Sequence, residues 1–181
     1  MSAPVSGQPP AAGRPPAAEA RVRGLWHFSY TVANLERSLD FYCGLLGMEL
    51  IHRQRQANPY TARLVAYDDA DLDVAMLKIP DTPVDASGHH LELVEYFHPR
   101  GEAIDTATNR PGVAHLAFLV DDIHAMCERL KGAGVPFKGE PVAIEAGRNA
   151  GGFGVYFNDF DGIPLELLQP APAVLAARRR G

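Results

Sequence analysis

Residues 27–47, HFSYTVANLERSLDFYCGLLG, return 88 positions later as residues 115–134, HLAFLVDDIHAMCERLKGAG, and this recurrence decides the fold. Each copy reads as a strand followed by a helix. In the first, Trp26, Phe28, Tyr30 and Val32 alternate with His27, Ser29 and Thr31, the period-two pattern of a sheet with one apolar and one mixed face. In the second, Leu116, Phe118 and Val120 stand opposite His115 and Ala117. Asn34 and Asp122 are natural helix N-caps. Leu35, Leu39, Tyr42 and Leu46 form an apolar stripe that Ile123, Met126, Cys127 and Leu130 repeat, and Gly47 and the Gly132/Gly134 pair suit the helix ends.

Working outward, the stretches ELIHRQ, ARLVAYD, DVAMLKI and LELVEYF read as strands after the first helix, and VPFKGEP, FGVYFND and PLELLQP after the second. The closing strands, Leu91-Glu92-Leu93-Val94 and Leu165-Glu166-Leu167-Leu168, are near-duplicates 74 positions apart. The first copy is therefore longer, and the turn-rich loop PDTPVDASGHH takes most of the excess. The expected fold is α+β: two tandem βαβββ modules forming a curled mixed sheet around a metal-binding cleft. The first module with its connector spans residues 24–110 and the second 111–169. A Pro/Ala-rich N-terminal extension, 1–23, is expected to be disordered, and residues 170–181 form a basic tail ending in Arg178, Arg179 and Arg180.

Composition narrows the function. The chain has 181 residues and a formal charge of −5, so no basic field is available to hold nucleic acid or an anionic membrane. Its two cysteines, Cys43 and Cys127, make neither a disulfide scaffold nor a four-thiolate zinc site. No apolar run approaches the ~18 residues of a membrane span and the first residues do not read as a secretory signal, so a cytoplasmic protein is expected.

Singly, a strand histidine or glutamate is ordinary. Together, His27 and His115 hold the same position of the two opening strands, and Glu92 and Glu166 the same position of the two closing strands. Each glutamate lies between two leucines that face the helices, so the carboxylates face the other way, beside the imidazoles. Burying two carboxylates together is costly unless a positive charge sits between them. Two nitrogen and two oxygen donors suit one divalent ion, Zn, Ni, Co, Mn or Fe(II), and leave two positions of an octahedron open. All four donors are expected to converge on the cleft. Ser29, Thr31, His90 and Tyr96 share that face as candidate substrate contacts. The GRNAGGFG stretch leads into a strand and reads as a turn at the cleft mouth, not a phosphate loop.

The segments HFSYTVANLERSLDFYCGLLGMEL, ELVEYFHPRG, AHLAFLVDDI and YFNDFDGIPLELLQP resemble the vicinal oxygen chelate superfamily. That group includes glyoxalase I, methylmalonyl-CoA epimerase, extradiol dioxygenases and fosfomycin or bleomycin resistance proteins. The resemblance implies His27, Glu92, His115 and Glu166 as metal ligands of the isomerase and epimerase branch, with Glu92 or Glu166 moving a proton next to a substrate carbonyl. Glyoxalase I carries an Arg and an Asn for glutathione where this chain has Thr31 and Tyr96. The connector HPRGEAIDTATNRPG is more like that of methylmalonyl-CoA epimerase. The expected activity is therefore a metal-dependent epimerase or isomerase of a small hydroxy ketone, such as the cyclic keto-polyol 2-epi-5-epi-valiolone, or of an acyl thioester. Alternatives are an iron(II) extradiol dioxygenase, a glyoxalase I-like lyase and a metal-free drug-binding resistance protein. A fourth protein ligand opposes the dioxygenase, since three ligands, two catecholate oxygens and dioxygen already fill six positions. A homodimer is expected, with modules paired within a chain or exchanged between two.

Overall fold

The computed structural model describes residues 20–174, so most of the N-terminal extension and the triple-arginine end of the tail lie outside the described residues. The first half runs β1 (Phe28–Thr31), α1 (Leu35–Leu39), β2 (Glu49–Gln56), α2 (Pro59–Val65), β3 (Asp71–Lys78) and β4 (Leu91–His98). The second runs β5 (Leu116–Leu119), α3 (Ile123–Gly132), β6 (Val142–Ala143), β7 (Phe153–Asn158) and β8 (Pro164–Gln169). Helix α1 continues as a π-helical segment through Asp40–Leu45.

Each half forms one open four-stranded mixed sheet, ordered β1-β4-β3-β2 and β5-β8-β7-β6. The opening strand lies parallel to the closing strand in both, with Ser29 beside Glu92 and Ala117 beside Glu166. The fold is α+β, two duplicated βαβββ units as the repeat implies, with one added helix in the first.

Both helices begin in the same way. Asn34 Oδ1 accepts from the Arg37 N–H at 2.8 Å and Asp122 Oδ1 from the Ala125 N–H at 3.0 Å. The first helical N–H groups would otherwise be orphaned. Leu35 donates to Glu95 Oε2 at 2.8 Å and Ile123 to Gln169 Oε1 at 2.7 Å, so the closing strand caps the helix from three residues beyond Glu92 and Glu166. The apolar stripes then bury Leu35, Tyr42, Ile123, Cys127 and Leu130 almost completely.

The helix-facing sides of both sheets contribute to a single apolar cluster containing Leu77, Leu91 and Leu93 from the first half and Phe157, Leu165 and Leu167 from the second. Polar contacts seal this junction. The Tyr42 hydroxyl donates to Asp159 Oδ2 at 3.1 Å, while Asp159 Oδ1 accepts the Asp161 and Ile163 N–H groups at 2.9 and 2.8 Å. Arg37 pairs with Asp161, and Arg129 Nη2 donates to the Gly44 carbonyl at 3.0 Å. Burial holds the Asp159 carboxyl above its ordinary range despite those three donors.

Several local expectations need correction. ARLVAYD is not a strand: most of it lies in α2, whose Asn58 side chain accepts from the Thr61 N–H at 3.0 Å, with Pro59 at the first helical position and Ala66 ending it at φ 58°. The excess length of the first half is thus shared between α2 and the loop before β4. VPFKGEP contributes only an isolated bridge, Phe137 with Phe157, before the two-residue β6. GRNAGGFG is a turn into β7, in which a Cβ on Gly152 would meet the Gln169 carbonyl oxygen at 2.3 Å. Among the described residues, no helix is long and apolar enough to cross a membrane.

Candidate metal centre

His27 immediately precedes β1 and lies on the same side of the sheet as Ser29 and Glu92. Its Nε2 stands 3.4 Å from Glu92 Oε2, and the Ser29 hydroxyl donates to the same oxygen at 3.1 Å. His115 precedes β5 in the same manner, with Nε2 3.3 Å from Glu166 Oε2. The Tyr156 hydroxyl, on the strand residue paired with Glu166, lies 3.2 Å from His115 Nε2. Burial and the Glu166 charge raise the Tyr156 pKa. Sequence reasoning passes over Tyr156; its place opposite Glu166 follows only from the β7–β8 register.

These distances match the demands of an ion. Donors at 2.0–2.2 Å on adjacent corners of an octahedron are about 3 Å apart. Each His–Glu pair is therefore spaced as two neighbouring ligands need, and each imidazole offers its Nε2 toward the carboxylate. The donor set, one borderline nitrogen and one hard oxygen per pair, fits a first-row divalent ion. A single chain, however, holds two pairs and not one cluster of four. Among the described residues, no group of three or more His, Cys, Asp or Glu side chains gathers where it could hold a metal. The physical reason is the shared core: the apolar faces of both sheets are consumed in one cluster, so the opposite faces, which carry the donors, look away from it. Among the described residues the four donors of one chain thus stand as two separate pairs.

Ser29, Thr31 and Tyr96 line one cavity of about 490 Å³ with Arg100, Thr106 and Asp161, along the open edge of β1 and the connector. Burial raises the Tyr96 pKa, with Tyr67 and Glu92 adding to the effect. Glu166 and Tyr156 line a separate recess of about 360 Å³. His90 departs from expectation. Its Nδ1 accepts the Ile79 N–H at 3.1 Å and its Nε2 lies 3.1 Å from the Pro83 carbonyl, so both ring nitrogens are spent pinning the loop before β4. The neighbouring His89, 3% exposed, is the ring that packs beside His27, with centroids 5.0 Å apart. Cys43 and Cys127 are free thiols, both pushed up in pKa by burial, and neither is an activated nucleophile.

A family model described as the Glyoxalase/Bleomycin resistance protein/Dioxygenase superfamily matches residues 24–167. The chain belongs to that superfamily. Its curated relatives include a 2-epi-5-epi-valiolone epimerase of Actinomyces sp, 34% identical over 152 residues that cover 81% of this chain and 80% of the relative. They also include a lactoylglutathione lyase of Neisseria meningitidis, 32% identical over 148 residues, 80% of this chain and 89% of the relative. Among solved structures, a glyoxalase family protein from Bacillus cereus superposes with a TM-score of 0.72 at 23% identity, covering 86% of this chain and 99% of that one, which bears on the fold alone. The superfamily thus contains named enzymes of two reaction types, an epimerase and a lyase, at similar distance from this chain.

Proposed function

We propose that the protein is a metal-dependent epimerase or isomerase that moves a proton next to the carbonyl of a small polar hydroxy ketone. The observation that carries this reading is the twin His–Glu pair, with Nε2 to Oε2 at 3.4 and 3.3 Å, at repeat-equivalent places. Each pair supplies half of a four-donor set, so one ion takes His27 and Glu92 from one chain and His115 and Glu166 from a second copy. The active form is therefore a homodimer with two sites. When bound, the divalent ion supplies stabilisation of the negative charge that develops on substrate oxygens.

The chain's own residues do the rest. Glu92 or Glu166 takes the proton from the carbon beside the carbonyl, a general-base contribution of roughly 10² to 10⁴ in rate. Ser29 donates to Glu92 and lines the 490 Å³ cavity, so it joins the first pair to the space where Thr31 and Tyr96 offer hydroxyls to a polyol. A cyclic keto-polyol is favoured over a glutathione adduct by the Thr31 and Tyr96 hydroxyls and by the epimerase relative. An acyl thioester is the second carbonyl class the same proton transfer would serve. The test is incubation in deuterated water with keto-polyols, acyl thioesters, and methylglyoxal with glutathione. Deuterium entering the carbon beside the carbonyl of a keto-polyol or thioester supports the proposal. Turnover of the glutathione adduct alone would assign a lyase, and oxygen uptake with catechols would assign a dioxygenase.

A further inference from the structure

Two ring nitrogens near the first donor pair are buried without a partner, His27 Nδ1 and His89 Nε2. Their rings are neighbours, 5.0 Å between centroids and tilted by 35°. The other nitrogen of each ring is accounted for. His89 Nδ1 lies 3.2 Å from the Ser87 carbonyl oxygen, which can only accept, so in the neutral ring Nδ1 carries the proton and Nε2 is a bare lone pair. His27 Nε2 faces Glu92 Oε2; in the metal-free chain that carboxylate can only accept and draws the ring proton to Nε2, whereas with an ion between them Nε2 would be the ligating lone pair and Nδ1 would hold the proton. In that metal-bound state an unpaired N–H would stand beside an unpaired acceptor, both out of water, costly apart and satisfied together by a small ring rotation.

We propose that His89 is the positioning residue for His27: the Ser87 carbonyl fixes the His89 tautomer, and when His27 Nε2 gives its lone pair to an ion, His89 Nε2 accepts the His27 Nδ1 proton. This rests on the reading of His27 as a metal ligand, since a ligating imidazole takes its orientation and tautomer from the partner of its other nitrogen. Among the described residues the device belongs to the first half alone: no second imidazole stands against His115, which instead meets the Tyr156 hydroxyl at its Nε2. The backbone around His89 holds its ring in place. The Ser87 hydroxyl donates to the His89 carbonyl at 3.0 Å, and Gly88 turns the chain at φ 75°, a conformation that favours glycine.

Three substitutions in the full chain test the proposal. Glutamine can place an oxygen near the position of Nε2, asparagine reaches only as far as Nδ1, and phenylalanine fills the space with neither. ¹H–¹⁵N spectra of the zinc(II)-loaded protein read the His27 Nδ1–H proton, and cobalt(II) titration against a competing chelator reads affinity. The expected result is a downfield, slowly exchanging His27 Nδ1–H signal in the wild type and in His89→Gln, and one that moves upfield or exchanges away in His89→Asn and His89→Phe. Cobalt(II) affinity should fall about 10- to 100-fold in the last two and recover in His89→Gln. A His27 Nδ1–H signal that is the same in all four proteins, or an affinity in His89→Gln as weak as in His89→Asn, overturns the proposal. Should His89→Phe fail to fold, the Gln and Asn pair decides it. Should wild-type protein bind neither zinc(II) nor cobalt(II), the metal reading fails and this proposal with it, whereas binding that is equal in all four proteins overturns this proposal alone.

Discussion

The two halves of the molecule carry the same chemistry on unequal supports. Both begin a strand with histidine, close the sheet with a glutamate three residues before a helix-capping side chain, and start the helix on an Asx cap. Around that common frame the surroundings diverge. Glu92 is held by Ser29 and flanked by Met76, and His27 is backed by the buried His89. Glu166 is flanked by Ala117 and Tyr156, and His115 is the more exposed imidazole, 40% against 26%. Duplication thus preserves the donors and the backbone groups that place them, while the neighbours that tune each donor have drifted. A buried second imidazole backs the histidine of the first half, and the second half sets a tyrosine hydroxyl beside its His–Glu pair.

The largest expected effect lies at the carboxylates. Glu92→Gln and Glu166→Gln should each slow solvent deuterium exchange into substrate, by about 10²- to 10⁴-fold in the one that is the base. Unchanged exchange in both would remove these residues from the reaction. Next comes the junction. Asp159→Ala strands two backbone N–H groups and the Tyr42 hydroxyl, and urea unfolding should show a loss of about 2–4 kcal/mol. A loss below about 1 kcal/mol would mean that the halves do not depend on this contact.

The Asp159 carboxyl also carries a pH signature. Its folded pKa lies above the unfolded value of about 3.9, so the folded state binds the proton more tightly and the contribution to stability is present below that pH. It is lost as pH rises through the folded pKa. The Asp159→Asn variant should lack that component, visible as a difference in the slope of stability against pH above about 4. Smaller again is the capping pair. Since Gln169 does for Ile123 what Glu95 does for Leu35, Glu95→Gln should cost little, chiefly its contact with Arg100, whereas Glu95→Ala should cost about 1–2 kcal/mol in the same unfolding measurement. The smallest effect is Tyr156→Phe. Its hydroxyl is a neighbour of His115 and not a ligand, so metal affinity should change by less than about tenfold.

How far the sequence leads can be judged from particular residues. The repeat, the Asn34 and Asp122 caps and the leucines around Glu92 and Glu166 are legible because each is a local rule read at its own place. The helix over ARLVAYD escapes a reading by periodicity although Asn58-Pro59 announces it, because the alternating apolar residues also fit a strand and the cap decides between them. Strand alternation carried back past Leu91 points to His90 instead of His89, but Gly88 and the loop have already broken it there. Tyr156 needs the register of two strands. The pairing of donors two and two is beyond reach for a different reason: periodicity says which face a side chain takes, and nothing local says which face of which module will meet it.

Metal content in mixed variants tests the central claim most directly. His27→Ala and His115→Ala proteins are each expected to lose bound divalent ion. After unfolding and refolding together, half of randomly formed dimers pair one of each, and in these one of the two sites regains all four native donors. Elemental analysis should then find about one site in four filled relative to wild type. Full metal content in either single variant, or no recovery in the mixture, would contradict a centre assembled from His27 and Glu92 of one chain and His115 and Glu166 of another.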